Sequence, residues 1–587
     1  FWLKPSWRKW SQLKCPSRGV FWFLSHLARC RSTSGRTHRG MARSFEWPLQ
    51  ALINSSFRGK EPYVVFRSTV LLALVVRLVR HLRRTALRQG LKAALVDAFA
   101  PTLKRLPQVR AKLDRETDKA TKNFRETFVK ELTQPRTKLP VDGVVEEQIL
   151  ELINTRKEID TKYWKDGKLT GAIYHGEQEH YDFIGKVFTQ WNFANPLHPG
   201  IHPALRQMDS EVVQMIVNMY NGGPDACGAF TTGGTESILM AMKAYRDMAF
   251  AEKGIKEPNI VVCRTAHAAF DKAGKYFNIF VKHARTNDKM QVDLAHMERL
   301  IDGNTIAIVG SCCQYAHGSI DPIEDMAKVA VRKNVGLHVD ACLGGFLVPF
   351  MDKAGFPIPP FDFRVGGVTS ISCDPHKYGF APKGSSVVMF SNKHLRRFMY
   401  CYLTAWTGGI YATPTMTGSR GGAPVVGTWA AMCKFGERGY IESTRKIVGA
   451  TRAIAKGIAG MPELELVGTA EVCVVAFRGR EGSGVNIYSV ADCMKKRFEW
   501  EMATCASPAC IHLALTLPSS GNVSRFLEEL AESVAAVKAD PSAFTSTAGL
   551  YGMAASLPDS FIEDAAGAYL DAMLEAHAPA PAEALGA

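Results

Sequence analysis

Through the middle of the chain, short apolar and β-branched runs alternate with longer stretches of helical period. Runs at Gly228–Thr231, Ile260–Cys263, Ile306–Gly310, Gly336–Val339, Val368–Ser372 and Ser386–Phe390 have the length and continuity of strands buried on both faces. Between them lie segments such as Ile238–Phe250, long enough for helices. The alternation predicts an α/β large domain over residues 166–438, with a mainly parallel sheet and helices on both faces. A helix over Tyr440–Ala459 then leads into a smaller α+β domain over 439–577, with strands at Leu464–Val467 and Glu471–Phe477. A last helix follows Asp559, and the Pro/Ala-rich 578–587 reads as a disordered tail.

The first 165 residues have a different pattern. Tyr63–Val79 is the one membrane candidate, apolar apart from Arg67 and Arg77 near its ends. As a helix it is about 25 Å long, a little short of the roughly 30 Å hydrocarbon core, and both arginines can snorkel to the interfaces. Arg77, Arg80, Arg84 and Arg88 share a helical face, which favours a helix lying in the interface. On either reading, 63–79 is an anchor and 80–165 a basic helical stalk ending in a helix over Val141–Lys165. Ahead of the anchor, 1–62 is an N-terminal extension. Its first 40 residues begin with Phe and hold nine basic residues and no acidic one. Met41 is the expected start, and the residues before it are read as upstream translation rather than a mitochondrial presequence.

Charge sharpens this division. The net charge is +16, yet residues 1–140 hold 30 Lys and Arg against 8 Asp and Glu, and the remainder 42 against 48. The basic excess belongs to the N-terminal part, where it suits a cytosolic, membrane-facing flank. The mildly acidic body argues against nucleic-acid binding. The 14 cysteines are scattered without metal-ligand spacing, which points to reduced thiols in a cytosol-facing body and no structural zinc.

Candidate chemistry lies where strands end. In Ser370–Gly384 a small, β-branched run stops at Asp374-Pro375, read as a turn, and His376 and Lys377 follow it. A lysine held there among apolar neighbours loses its proton easily and becomes a Schiff-base nucleophile. Asp340, at the end of Leu337–Ala341, can pair with a protonated pyridine nitrogen. Gly234 and Thr235 open a helix whose free amides suit a phosphate, and His267, after the strand Asn259–Cys263, offers a flat ring to lie on a cofactor. Phosphate cradle, stacking His, pyridinium Asp and Schiff-base Lys, in that order, predict a pyridoxal 5'-phosphate enzyme.

These segments, with Asn195–Pro199, Asn221–Asp225, Gly233–Tyr245, His338–Phe346, His376–Gly384 and Gly408–Ala412, resemble the group II pyridoxal-phosphate-dependent decarboxylase family. Within it the chain is similar to the branch of lyases acting on phosphorylated long-chain bases, over roughly residues 171–552. It departs from them at Cys373 and Pro375, where those lyases usually carry Ala and Thr; the proline is common in the sister decarboxylases. The resemblance implies an aminotransferase-type (fold type I) large domain and a homodimer. It also implies an endoplasmic-reticulum membrane anchor with the catalytic body in the cytosol. It places Lys383 and Tyr315 on the substrate phosphate, Tyr174 and His198 near the reacting hydroxyl, and His376 on the cofactor phosphate. Ser419 would reach the cofactor phosphate of a partner subunit. The implied reaction cleaves the C2–C3 bond of a phosphorylated sphingoid base. An amino-acid decarboxylase and an inactive membrane-tethered scaffold are the alternatives.

Overall fold

The computed structural model describes residues 135–540, 542–544, 559–575 and 68–76, with scattered positions between 79 and 122. The chain divides into two compact units, Phe1–His81 and Leu82–Ala587. In the first, residues 68–76 and 79 are helical. The rest of the expected anchor, the extension before it, most of the stalk and the 578–587 tail lie outside the described residues. Among the described residues no helix is long and apolar enough to cross a membrane.

In the second unit, helices α1 (Glu146–Thr161), α2 (Gln178–Trp191) and α3 (Pro203–Met219) lead to a seven-stranded sheet. Its strands are β1 (Cys227–Thr231), β2 (Asn259–Cys263), β3 (Phe280–Ala284), β4 (Thr305–Ser311), β5 (Gly336–Ala341), β6 (Ser370–Cys373) and β7 (Ser386–Phe390). Helices α4 (Gly234–Lys253), α5 (Ala269–Phe277), α6 (Leu294–Leu300) and α7 (Ile323–Lys333) join them. The order is β1-β7-β6-β5-β4-β2-β3. Strands β3, β2, β4, β5 and β6 run parallel, whereas β7 is antiparallel to both β6 and β1. The sheet is therefore mixed. All residues of β2, β4, β6 and β7 are buried, as sheets covered on both faces require.

An exposed hairpin, β8 (Cys401–Trp406) and β9 (Gly409–Thr413), precedes the long helix α8 (Gly422–Ala459). This helix begins well before the expected Tyr440. It is two helices joined at Gly436, whose φ of 56° and ψ of −176° lie outside what a side-chain-bearing residue readily holds. The smaller sheet, β10 (Leu464–Val467), β11 (Val474–Gly479), β12 (Ala503–Ala506) and β13 (Ala509–Ala514), is antiparallel in the order β10-β11-β13-β12. Strand β11 starts later than Glu471 because the chain still bends at Val472 and Cys473. Helices α9 (Ile487–Phe498), α10 (Val523–Ala539) and α11 (Asp559–Leu574) follow β11 and β13. One apolar core runs from Ile308 and Val339 in the large sheet to Val475 and Ile511 in the small one.

Candidate active site

Ligands of open α/β sheets bind outside the carboxyl ends of the parallel strands, and the expected residues collect there. Asp340 is the penultimate residue of β5, and Asp374, His376 and Lys377 leave the end of β6. Strand β7, antiparallel beside β6, brings Ser386 opposite this exit. Its hydroxyl donates to Asp374 Oδ1 at 2.6 Å.

Asp374 changes the electrostatic reading of the lysine. It is 1 % exposed rather than a surface turn, and its Oδ2 lies 2.9 Å from Lys377 Nζ. Burial alone would push the Lys377 amine down, as the apolar setting suggested. The charge and hydrogen bond of Asp374, with further contributions from Cys342 and Tyr174, together outweigh it and raise the amine above the ordinary lysine value. In the protein without cofactor, Lys377 is an ammonium.

Asp340 Oδ1 accepts hydrogen bonds from the Cys342 amide at 3.0 Å and from Ser372 Oγ at 3.1 Å. Burial would lift this carboxyl, but the neighbouring His267 ring and the Cys342 amide hold it below the usual carboxylate range. It is thus an anion ready for a ring N–H. His267 Nδ1 accepts from the Ala269 amide at 3.1 Å, which pins the ring over the start of α5. The ring lines a cavity of about 300 Å³ shared with Tyr315 and His317.

The first turn of α4 has no room for a side chain at Gly234. A Cβ there would stand 2.6 Å from Asp374 Oδ2 and 2.8 Å from Cys342 Sγ. Thr235 opens the same helix. The carboxylate of Glu236 accepts from the Thr232 amide at 2.7 Å and from the Met416 amide at 3.0 Å, tying the helix start to the loop that carries Ser419. His376 lies over the cradle, its Cε1 3.8 Å from where a Gly233 Cβ would sit. Its Nδ1 is buried without a hydrogen-bond partner, and burial keeps the ring neutral. A bare ring nitrogen beside a helix N-terminus fits a phosphate-bearing group.

Lys383 Nζ lies 4.7 Å over the Tyr174 ring and 3.5 Å from the His376 carbonyl. Burial first, and the charge of Lys377 second, lower its amine. Burial pushes Tyr174 up to about 12, and its ring stands edge-on to Tyr378 at 4.9 Å. Tyr315 packs edge-on against His512 at 4.7 Å and is close enough to Tyr174 to influence its titration. Lys377, Lys383, Tyr174, Tyr315 and His376 therefore form one group.

His198 and Ser419 are held elsewhere in the chain. Asn195 Nδ2 donates to Ser419 Oγ at 3.2 Å, and its Oδ1 accepts from the Leu197 amide at 3.0 Å, so the Asn195–Pro199 loop and Ser419 share one rim. Among the described residues no hydrogen bond or ring contact joins His198 to Lys377 or Asp340. Sequence reasoning passed over Asp374, Glu236, Ser372 and Ser386. Asp374 alone had a visible signal, its place three residues before the lysine.

A buried carboxylate, a glycine-opened helix start, a histidine with one unpartnered ring nitrogen and a reactive-site lysine at the strand ends fit a pyridoxal-phosphate enzyme of the aminotransferase-like α/β fold. A profile described as the pyridoxal-dependent decarboxylase conserved domain matches residues 138–480. Sphingosine-1-phosphate lyase 1 of Rattus norvegicus is 38% identical over 520 residues, covering 87% of this chain and 90% of that protein. Sphingosine-1-phosphate lyase of Saccharomyces cerevisiae is 40% identical over 468 residues, covering 78% and 79%. The solved sphingosine-1-phosphate lyase of Burkholderia pseudomallei superimposes with a TM-score of 0.67 at 37% identity, covering 69% of this chain and 94% of that one. The glutamate decarboxylase of Lactobacillus brevis, at 20% identity and a TM-score of 0.59, shares the fold. The chain belongs to the pyridoxal-dependent decarboxylase family, and within it to the sphingosine-1-phosphate lyases.

Proposed function

We propose that the protein cleaves the C2–C3 bond of phosphorylated long-chain bases such as sphingosine 1-phosphate, releasing a fatty aldehyde and phosphoethanolamine. The observation that carries this reading is the second ammonium, Lys383, standing over Tyr174 beside Lys377. It gives the site a cationic position for a substrate phosphate, separate from the cofactor cradle at Gly234. Pyridoxal phosphate, when bound, supplies the electron sink for the pair released by carbon–carbon cleavage.

The chain's own residues do the rest. Lys377 would hold the cofactor by its amine. His267 would lie against the ring, and Asp340 would keep a proton on the ring nitrogen. Gly234, Thr235 and His376 would take the cofactor phosphate, and Ser419 would reach that of a partner subunit in a homodimer. Lys383 meets the substrate phosphate as a point charge, with Tyr315 beside it, and Tyr174 and His198 face the reacting hydroxyl. Its proton goes to Lys377 Nζ, to His198 or to a phosphate-assisted water.

Incubation with sphingosine 1-phosphate and mass detection of both products tests the reaction. Carbon dioxide release from amino acids, with no aldehyde from the phosphorylated base, would make the protein a decarboxylase instead. We also infer that residues 63–79 anchor the protein to the endoplasmic reticulum with the body in the cytosol, from the apolar run and the basic flank behind it. Deletion of residues 1–90 then leaves an active, unsedimented body; a truncated protein that still pellets with membranes refutes the assignment.

A further inference from the structure

Beneath Asp340 lies a file of buried polar groups that the reaction itself does not use. In the parallel pair β5–β6, His338 stands opposite Ser370 and Asp340 opposite Ser372. Alternation along the strand puts His338 and Asp340 on one face. His338 is fully buried, with the edge of Phe270 against it at 5.7 Å between centroids. Its Nδ1 lies 2.7 Å from Ser370 Oγ and its Nε2 3.2 Å from Ser372 Oγ. Ser370 Oγ in turn lies 2.6 Å from the phenol oxygen of Tyr245 on α4.

The directions of these bonds follow from the chemistry of each group. Ser372 donates its one proton to Asp340 Oδ1, since a carboxylate only accepts. Its oxygen must then accept, and His338 Nε2 is the donor. Burial holds the His338 ring down to about 4, so it is neutral and carries one N–H. That N–H is used at Nε2, which leaves Nδ1 bare to accept from Ser370. The hydroxyl of Ser370 is then used as well, so its oxygen accepts from Tyr245. Burial pushes the Tyr245 phenol up to about 12, and it remains a donor to Ser370, so its oxygen accepts from the Thr369 hydroxyl 2.6 Å away. The opposite polarity would require a protonated Asp340.

We propose that His338, set between Ser370 and Ser372, is a positioning residue that helps fix the orientation and negative charge of Asp340 through a one-way file of hydrogen bonds running through Tyr245. The proposal rests on the reading of Asp340 as the ring-nitrogen partner. A neutral His338 with its only N–H turned to Ser372 delivers a hydrogen bond without a proton to surrender. Together with the His267 ring and the Cys342 amide, that hydrogen bond holds Asp340 as an anion in a setting where burial alone would neutralise it. A plain hydrophobic residue at 338 would fill the space and leave Ser372 free to rotate away from the carboxylate.

The test compares Ser372→Ala, His338→Met, His338→Gln and Asp340→Asn with wild type. It reads the cofactor dissociation constant by titration of cofactor-free protein, the visible absorbance of the bound cofactor, kcat and KM, and the melting temperature without cofactor. Loss of one hydrogen bond to a buried charge weakens cofactor binding about tenfold. Ser372→Ala and His338→Met are each expected to show that loss, a shifted absorbance band and a kcat about tenfold lower at nearly constant KM. His338→Gln, which keeps one acceptor and one donor, is expected to recover part of all three. A near-normal Asp340→Asn would remove the underlying reading. If Asp340→Asn fails while Ser372→Ala and His338→Met change only the melting temperature, the underlying reading stands and the relay is refuted.

Discussion

Replacing Asp374 by Asn removes one charge from the site and little else, because the amide oxygen still accepts from Ser386. The carboxylate and the Lys377 ammonium are 2.9 Å apart with side chains 2 % and 21 % exposed. At an effective dielectric of about 20 their attraction is about 6 kcal/mol, which offsets the burial of both. Without it Lys377 can release its proton. For an amine of ordinary pKa near 10.4, that costs about 4 kcal/mol at pH 7.5. Release therefore caps the destabilisation at about 4 kcal/mol, within the roughly 3–5 kcal/mol range for breaking buried pairs. The sign with pH follows. In wild type the raised Lys377 value makes the pair's contribution fully present below the unfolded lysine value, and lost only above it. In the variant the folded protein binds one proton fewer than the unfolded chain, so its stability rises with pH by about 1.4 kcal/mol per unit. Urea denaturation of cofactor-free wild type and variant, from about pH 7.5 to about pH 9.5, measures the difference. It should shrink steadily as pH rises. A difference that is zero, or flat with pH, refutes the assignment of Lys377 as a protonated partner of Asp374.

Other substitutions probe the rest of the site. Lys383→Met keeps the apolar stem over Tyr174 and removes a charge-assisted contact of about 1.5–3 kcal/mol. Its kcat/KM on sphingosine 1-phosphate should fall roughly ten- to a hundredfold, with a much smaller loss on the non-phosphorylated base; equal losses on the two would show that Lys383 does not read the phosphate. Gly234→Ala drives a methyl group into Asp374 and Cys342, and overpacking of this kind costs about 1–3 kcal/mol. Cofactor affinity should drop by about tenfold or more, and unchanged affinity in a cofactor titration would dissociate Gly234 from the cradle. Lys377→Ala should abolish the visible absorbance and turnover while circular dichroism stays native; retained cleavage would rule out its role.

The strands that build the floor of the site were legible because burial on both faces leaves an uninterrupted apolar or small-residue signature. Strand β3 was not, since Lys282 and His283 break its run. The fold buries Lys282 all the same, by pairing it with Asp302 at 2.7 Å and the Leu300 carbonyl at 2.8 Å. The reversed direction of β7 carries no residue signature at all, yet it is what brings Ser386 to Asp374. The start of α8 was hidden by Gly421, Gly422 and Pro424, which read as loop punctuation although Pro is well suited to a first helical turn. At the site, residue types and order pointed to Lys377, Asp340, His267 and Gly234. The sequence did not show how deeply Asp374 is buried, so the lysine's charge was read the wrong way. A short acidic residue before a proline looks the same on a surface turn as beneath a helix N-terminus.

The ion pair at Lys377 also bears on selectivity toward stray electrophiles. A free lysine amine condenses with almost any aldehyde, and the proposed reaction releases a long-chain aldehyde beside this one. An ammonium held by Asp374 has no lone pair to offer, so newly made protein waiting for its cofactor is shielded from capture by its own product. An aldehyde can react there only after that proton has left, and beside the Asp374 carboxylate the free amine is scarcer than at an exposed lysine.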